Sequence, residues 1–165
     1  MIIIANKSNK IGSKFENRLT KQFEKYRKEG RAYIFKVPVE WVIIRNGKNI
    51  KSAFPRNKSD CLDYIGILPG GKSIVFEAKT IANKTSFPLS NIKDYQYDLI
   101  KEISQYANNV FFIIEFREFK EVYLVSGLAI REFKENNKRK SIPYKEFKNI
   151  GILMNDLDVL KYINY

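Results

Sequence analysis

Three charged residues stand at one end of two short apolar runs, in the stretch DYIGILPGGKSIVFEAK (residues 63–79). Asp63 opens the first run, and Glu77 and Lys79 close the second. Two carboxylates beside an ammonium group can hold a divalent cation and stabilise negative charge on a phosphoryl group. The chain contains no histidine, which excludes Ser-His and Cys-His catalytic pairs. Its chemistry therefore has to run on carboxylates, lysine, tyrosine or hard metal ions.

The turn between the two runs predicts how these side chains meet. Pro69-Gly70-Gly71 is typical of a tight connection between antiparallel strands. A hairpin centred on the middle residue of this turn places Asp63 directly opposite Glu77, with Lys79 on the same face. Like charges across a strand pair destabilise it, so we expect a cation between the two carboxylates. Mg²⁺, with Mn²⁺ as a substitute, suits oxygen ligands, and the main-chain carbonyl of Ala78 is a further candidate.

These groups together predict a site for phosphodiester hydrolysis. A competing carboxylate, Asp60, follows Ser59. The same hairpin register places Asp60 opposite residue 80, beyond Lys79, which favours Asp63 as the metal ligand. The alternative interpretation is a strand that ends in water, with Glu77 and Lys79 as ordinary solvated residues.

Composition indicates the class of partner. Thirty Lys and Arg residues against eighteen Asp and Glu give a net charge of +12, which favours a polyanion, with nucleic acid as the first candidate. The 165 residues predict a single domain over 1–165, and the single cysteine, Cys61, excludes an internal disulfide. No apolar run approaches the roughly 18 residues of a membrane span. We therefore predict a cytoplasmic protein with no membrane partner.

The hydrophobic pattern predicts alternating helices and strands. Helices are expected over 11–28, from Ser90 or Asn91 to about Ala107, and over 128–135. Strands are expected over 32–39, 41–44, in the hairpin 63–79, and over 110–116 and 122–125. Residues 45–58 are polar and basic, which indicates a loop or short projecting stalk. The order, roughly αβββαββ, predicts an α/β fold with a mixed central sheet flanked by helices.

Several motifs, in this order and spacing, resemble the RecU type of Holliday junction resolvase in the PD-(D/E)XK nuclease superfamily. They are Asp63-Tyr64-x-Gly66, Phe76-Glu77-Ala78-Lys79, the run 83–89 (NKTSFPL), Asn91-x-x-Asp94-x-Gln96 and Arg139-Lys140-Ser141-Ile142. The resemblance covers most of the chain from Asp63 onward. The family usually carries a hydroxyl residue just before the aspartate, where this chain has Leu62.

The resemblance implies a restriction-endonuclease-like core, a homodimer and Mg²⁺ dependence. It also implies that the protein resolves four-way DNA junctions by paired symmetric nicks, using a metal-activated water. It assigns the metal-binding pair to Asp63 and Glu77 and the catalytic lysine to Lys79.

Two further polar residues flank apolar helical stripes. Gln96 interrupts the stripe formed by Ile92, Leu99, Ile103 and Tyr106. We predict that it contacts the metal-bound water or a phosphate, with a hydrogen-bonded core amide as the alternative. Glu16 flanks the stripe of the first helix and is a further candidate metal ligand, or else a solvated glutamate.

Basic and hydroxyl side chains outside this cluster are candidates for DNA binding, chiefly through the phosphate backbone. They are Arg45, Lys48, Lys51, Arg56, Lys58, Lys84, Thr85, Ser86, Lys138, Arg139 and Lys140. Thr85 and Ser86 suit turn formation equally well.

Three alternatives to a junction resolvase stay open at this point. The same core could act as a restriction-like or repair nuclease on duplex, flapped or branched DNA. A non-catalytic DNA-binding module could keep the same fold. A basic protein that docks to an acidic partner is the third alternative, although no specific motif supports it.

Overall fold

The computed structural model describes residues 7–55 and 60–163. Its helices are α1 (Lys7–Lys28), α2 (Asp94–Ile103), α3 (Gly127–Asn136) and α4 (Tyr144–Ile150). Its strands are β1 (Tyr33–Lys36), β2 (Trp41–Asn46), β3 (Asn49–Pro55), β4 (Tyr64–Ile67), β5 (Ser73–Ile81), β6 (Ser86–Pro88), β7 (Asn109–Phe116), β8 (Glu121–Ser126), β9 (Ser141–Pro143) and β10 (Gly151–Met154). Among these elements, no helix has the length and hydropathy needed to cross a membrane.

Six strands form the central sheet in the order β1-β4-β5-β7-β8-β10. β5 and β7 run parallel, whereas every other neighbouring pair is antiparallel. Two short ladders lie outside this sheet, one between β2 and β3 and one between β6 and β9. A mixed sheet flanked by helices confirms the predicted fold class.

A hydrophobic core covers each face of the sheet. On one face, α1 buries the stripe predicted from its helical spacing, Phe15, Leu19, Phe23 and Tyr26, against alternate residues of β5 such as Phe76. On the other face, α2, α3 and α4 pack against Val75 and Ile81 of the same strand. Glu77 and Lys79 fall between those two apolar residues because strand side chains alternate in direction. The second face is therefore the one that carries the charged groups.

Gly66 lets β1 and β4 approach closely. It pairs with Ile34, and a Cβ atom at this position would lie 2.7 Å from the carbonyl oxygen of Tyr33 and from Cγ1 of Ile34. Any larger residue would push β1 away from β4. Since the connection from β1 to β2 forms one wall of the site described below, this contact helps to define the shape of that site.

The boundaries of two predicted segments differ in the structure, one near β2 and one near α2. Within the loop or short projecting stalk predicted over 45–58, Asn49–Pro55 is a strand that pairs with β2. α2 begins at Asp94 because the preceding residues Leu89–Asn91 form a 3₁₀ turn. The N–H of Leu89 is bonded to the carbonyl of Lys140, which holds this segment as an extension of β6.

The end of α2 also differs from the prediction. The α-helix ends at Ile103, and a tighter turn follows, in which the N–H of Tyr106 donates to the Ile103 carbonyl. Tyr106 consequently leaves the predicted inward stripe and is 81% exposed. Tyr97 and Ile100 are the buried residues of this helix that fill the core.

Candidate active site

The hairpin β4–β5 brings the two predicted carboxylates together. Tyr64 pairs with Phe76, and Ile67 pairs with Ser73, which confirms the register predicted from the turn. Asp63, one residue before β4, therefore lies across from Glu77. Its main-chain N–H donates to Oε2 of Glu77 over 3.1 Å, and its own Oδ2 accepts the N–H of Ala78 over 3.1 Å.

Burial makes two facing carboxylates electrostatically unfavourable unless a cation lies between them. Glu77 is only 3% exposed. Burial first, and then the negative charge of Glu77, raise the pKa of Asp63 to about 7, although the Ala78 N–H and Lys79 oppose the rise. A cation between the two carboxylates would relieve both effects.

The oxygen donors at this position fit a hard divalent cation. Across residues 7–55 and 60–163, no three His, Cys, Asp or Glu side chains converge as a metal site. A cation here would therefore use Asp63 and Glu77 and take its other ligands from main-chain, water or substrate oxygens, as Mg²⁺ commonly does. The Ala78 N–H points to the side of the strand that faces Asp63, and its carbonyl shares that side because both groups of an extended residue point the same way.

Lys79 and Gln96 complete one hydrogen-bonded cluster around Glu77. The Nζ of Lys79 lies 2.7 Å from Oε1 of Glu77 and 3.3 Å from Oε1 of Gln96. The amide nitrogen of Gln96 donates to the same glutamate oxygen. Gln96 is 5% exposed. Three of the four predicted catalytic side chains thus contact one another directly, and Asp63 joins them through its main chain.

Gln96 also shapes the start of α2. Its side-chain Oε1 accepts the main-chain N–H of Lys93 over 2.9 Å, while the main-chain N–H of Gln96 donates to the Lys93 carbonyl. This reciprocal pair satisfies polar groups that the first turn of a helix leaves open. The predicted functional role and the alternative role of a hydrogen-bonded core amide therefore coexist in one side chain.

A cavity of about 230 Å³ opens above this cluster. Asp63, Glu77, Lys79 and Gln96 line it together with Lys93, Tyr95 and the connection between β1 and β2 at residues 37–40. Both carboxylates of the facing pair line this opening, which we name the catalytic cavity.

The other metal-ligand candidates lie outside the catalytic cavity. Glu16 binds Lys36 over 2.5 Å, and its negative charge contributes to the raised pKa of Asp63. It lies near the pair but does not line the opening. Asp60 lines a separate surface cavity with Tyr95 and Asp98.

The predicted DNA-binding residues fall into three places. Arg45, Lys48 and Lys51 are exposed on the β2–β3 hairpin, whereas Arg56 and Lys58 lie outside the described residues. Lys138, Arg139 and Lys140 are exposed on the segment before β9. Lys84 lies 3.6 Å from Glu118 in an exposed ion pair.

Thr85 and Ser86 stabilise a turn. Oδ1 of Asn83 accepts the main-chain N–H groups of both residues and the Thr85 hydroxyl. These contacts match the turn-forming alternative, and a role in phosphate binding stays a prediction.

Sequence reasoning missed Lys93, Tyr95 and the wall at residues 37–40. Tyr95 lines the same cavity as both carboxylates, and burial, and then the negative charges of Glu77 and Asp63, raise the pKa of its phenol. The spacing of Lys93 and Gln96 across one helical turn was an available signal. The wall had none, because its position depends on how β1 pairs with β4.

Comparisons with known proteins give consistent matches over most of the chain. A family model described as RecU, recombination protein U, matches residues 10–165. A protein named Holliday junction resolvase RecU from Geobacillus sp. strain WCH70 is 35% identical over 149 residues, which cover 85% of this chain and 73% of that protein. Proteins of the same name from Pediococcus pentosaceus and Oceanobacillus iheyensis are 34% and 33% identical, over 86% and 84% of this chain and 74% of each relative.

Proposed function

The chain belongs to the RecU (recombination protein U) family, and on this premise we propose that it is a Holliday junction resolvase. It is an endonuclease that cleaves the phosphodiester backbone of four-way DNA junctions. The observation that carries this proposal is the facing pair Asp63 and Glu77, with Lys79 bonded to Glu77 at the edge of an open cavity.

The finer proposal is that cleavage depends on Mg²⁺, with Mn²⁺ as a substitute. Asp63, Glu77 and the carbonyl of Ala78 would hold the ion, with Glu16 as a more distant candidate. When bound, such an ion supplies Lewis acidity and an activated water. The raised pKa of Asp63 supports this assignment, because an empty carboxylate pair at this depth favours uptake of a proton or a cation.

The protein side chains then position and neutralise the reacting groups. Lys79 is fixed by Glu77 and Gln96, so its ammonium group can donate to the attacking water or to charge developing on the phosphate. Gln96 donates its amide to Glu77, which fixes the orientation of that carboxylate. Tyr95 and residues 37–40 line the cavity and limit the access of bulk water.

We further propose that the protein is a homodimer that makes paired symmetric nicks on opposite strands. The β2–β3 hairpin supports this proposal, because all six residues of β2 are exposed. They include Trp41 at 59% and Ile43 at 47%. Apolar exposure on this scale is typical of an interaction surface. The hairpin would be the stalk predicted over 45–58, with its basic residues on the DNA backbone.

Junction selectivity would come from shape and backbone contacts. The net charge of +12 supports binding to a polyanion, and phosphate contacts fix position without reading bases. We place the protein in the cytoplasm, because its substrate is DNA and its single cysteine indicates no dependence on disulfides. Residues 1–165 would act as one nuclease domain.

A cleavage comparison tests the proposal. A labelled mobile four-way junction and a linear duplex of the same sequence are incubated with the protein, with and without Mg²⁺. We expect paired nicks in the junction, only with Mg²⁺, and little cutting of the duplex. Equal cutting of both substrates would instead assign a restriction-like or repair nuclease, with flapped DNA as the next substrate. Junction binding without any cleavage would assign a non-catalytic DNA-binding module.

A further inference from the structure

A second cavity adjoins the catalytic cavity on the side where α2 begins. Its volume is about 500 Å³. Four of its lining residues are cationic, namely Lys93, Lys134, Arg139 and Lys140, and Asp94 supplies a carboxylate. We name this opening the basic cavity. Its lining comes from three parts of the chain, namely the start of α2 with the residues before it, the end of α3 and the segment before β9.

One carboxylate, that of Asp94, lies among the cations of this lining. Asp94 lies 2.9 Å from the ammonium of Lys134, and the hydrogen bond and charge of Lys134 lower the pKa of Asp94. The Lys134 ammonium also lies 3.8 Å from the centre of the Tyr97 ring. The Lys134 and Asp94 side chains are 38% and 96% exposed, so their ion pair is weak, and Lys134 still contributes positive charge to the cavity.

The remaining cations have little local compensation. Arg139 lies 3.5 Å from Glu146, and the two side chains are 61% and 45% exposed, so this ion pair is weak. Among the described residues, Lys93 and Lys140 have no acidic partner. The basic cavity consequently carries excess positive charge that an anion would neutralise.

The main chain fixes the position of Lys140. Its carbonyl accepts the N–H of Leu89 over 3.0 Å. The β6–β9 ladder follows directly, and Phe87 pairs there with Ile142, both fully buried. The main chain that carries Arg139 and Lys140 is thus ordered by this ladder before a ligand arrives.

One residue connects the two cavities. Lys93 lines both of them, and its main chain is bonded to Gln96, which contacts Glu77. We propose that the basic cavity binds a backbone phosphate on the cleaved DNA strand, close to the phosphate that is hydrolysed. This inference rests on the proposed function, and it assigns Lys93, Lys134, Arg139 and Lys140 to one anion site that sets the position of the strand.

A charge-removal variant provides the first test. Lys140→Ala takes one cation from the basic cavity, and Lys145→Ala takes one from an exposed position on α4. For Lys140→Ala we expect kcat/KM on a four-way junction in Mg²⁺ to fall roughly tenfold, the scale of one hydrogen bond to a charged group. The loss should fall on KM, since the contact is kept in both ground and transition states. Circular dichroism checks that both variants fold.

Uncharged phosphate analogues identify which DNA phosphate contacts the basic cavity. Methylphosphonate replaces one phosphate at a time on each side of the cleaved bond, and wild-type, Lys140→Ala and Lys145→Ala proteins are assayed on each junction. At one position the wild type should lose roughly tenfold, whereas Lys140→Ala should lose clearly less than tenfold, because one of the cations that contact that phosphate has already been removed. Lys145→Ala should behave as the wild type does at every position.

The outcomes separate this inference from the function on which it rests. If the wild type cleaves the junction but Lys140→Ala matches Lys145→Ala, the inference fails and the resolvase assignment stands. Losses that simply add at every methylphosphonate position would also overturn it. A wild type that neither binds nor cleaves the junction would overturn both.

Discussion

Two aspartates of this protein lie in opposite electrostatic surroundings. Asp158 accepts the hydroxyl of Tyr26 over 2.7 Å and two guanidinium nitrogens of Arg31 over 3.2 Å. Burial opposes ionisation there, but these hydrogen bonds outweigh it and lower the pKa of Asp158. Asp63 faces Glu77 instead, and burial together with that second carboxylate raises the pKa of Asp63.

The difference separates a structural carboxylate from a candidate catalytic one. Around Asp158, donors match the charge and connect the C-terminal segment to α1. Around Asp63, two carboxylates and one lysine are buried together at one end of the β4–β5 hairpin. Repulsion between the carboxylates lowers the stability of the fold, and a bound cation would relieve it. We therefore expect substitutions at the two places to have opposite effects on stability and on chemistry.

The largest expected effect is the loss of cleavage in Glu77→Gln. The amide keeps the shape of the side chain but removes the charge that would hold the metal ion. Junction cleavage should fall by roughly 10²- to 10⁴-fold, the scale of the several kcal/mol that a bound metal ion contributes to catalysis, measured as single-turnover rates in Mg²⁺. The melting temperature should change little, because the repulsion between Glu77 and Asp63 is relieved while the ion pair between Glu77 and Lys79 is lost.

The matched control for this variant is Asp158→Asn, which also replaces a carboxylate with an amide. Its cleavage rate should stay within about twofold of wild type, since surface and structural sites do not enter the chemistry directly. Loss of cleavage in both variants would contradict the distinction between a catalytic cluster around Asp63 and a structural cluster around Asp158.

A smaller effect on cleavage is expected for Gln96→Met. This variant keeps the length of the side chain but removes the amide that orients Glu77 and caps α2. Cleavage should fall about 10- to 100-fold, as for other residues that orient a metal ligand. The free energy of unfolding should drop by about 1 kcal/mol through the lost helix cap. A loss of stability without loss of kcat would restrict Gln96 to a structural role.

Stability rather than chemistry should change in Asp158→Asn. Tyr26 and Arg31 would lose a charged acceptor, so the free energy of unfolding should fall by about 1–3 kcal/mol. Urea unfolding followed by tryptophan fluorescence or circular dichroism measures this difference. An unchanged urea midpoint would show that these hydrogen bonds do not stabilise the contact between α1 and the C-terminal segment.

The difference in the free energy of unfolding between wild type and Asp158→Asn should depend on pH, with a smaller effect of definite sign. The folded-state pKa of Asp158 is lowered, so its contribution is complete above the unfolded-state pKa of about 4. It is lost as pH falls through the lower folded-state value. The stability gap between wild type and Asp158→Asn should therefore close as pH drops below about 4. A gap that is independent of pH would contradict the role of the ionised carboxylate.

The sequence predicted that Asp63 faces Glu77 because the information that sets this geometry is local. A Pro-Gly-Gly turn fixes the hairpin register, and the register alone sets Asp63 opposite Glu77. The period of two then places Lys79 on the same face. The helical stripe of α1 was readable for the same reason, since its apolar residues lie within one continuous segment.

The features that the sequence did not predict depend on pairing between distant parts of the chain. β9 forms only because Ile142 meets Phe87 from a distant part of the chain. The late start of α2 follows from the bond between Leu89 and Lys140. The basic cavity depends on both contacts, so its cations look like unrelated surface charges when they are read along the chain.

The central claim is that the conflict between Asp63 and Glu77 is resolved by a divalent cation, and thermal unfolding against Mg²⁺ or Mn²⁺ concentration tests it most directly. A ligand that binds only the folded protein stabilises it by about 2.7 kcal/mol at 100 times its dissociation constant. The melting temperature of wild type and Asp158→Asn should therefore rise by several degrees, whereas Asp63→Asn and Glu77→Gln should not respond. No rise in the wild type, or an equal rise in all four proteins, would contradict the account.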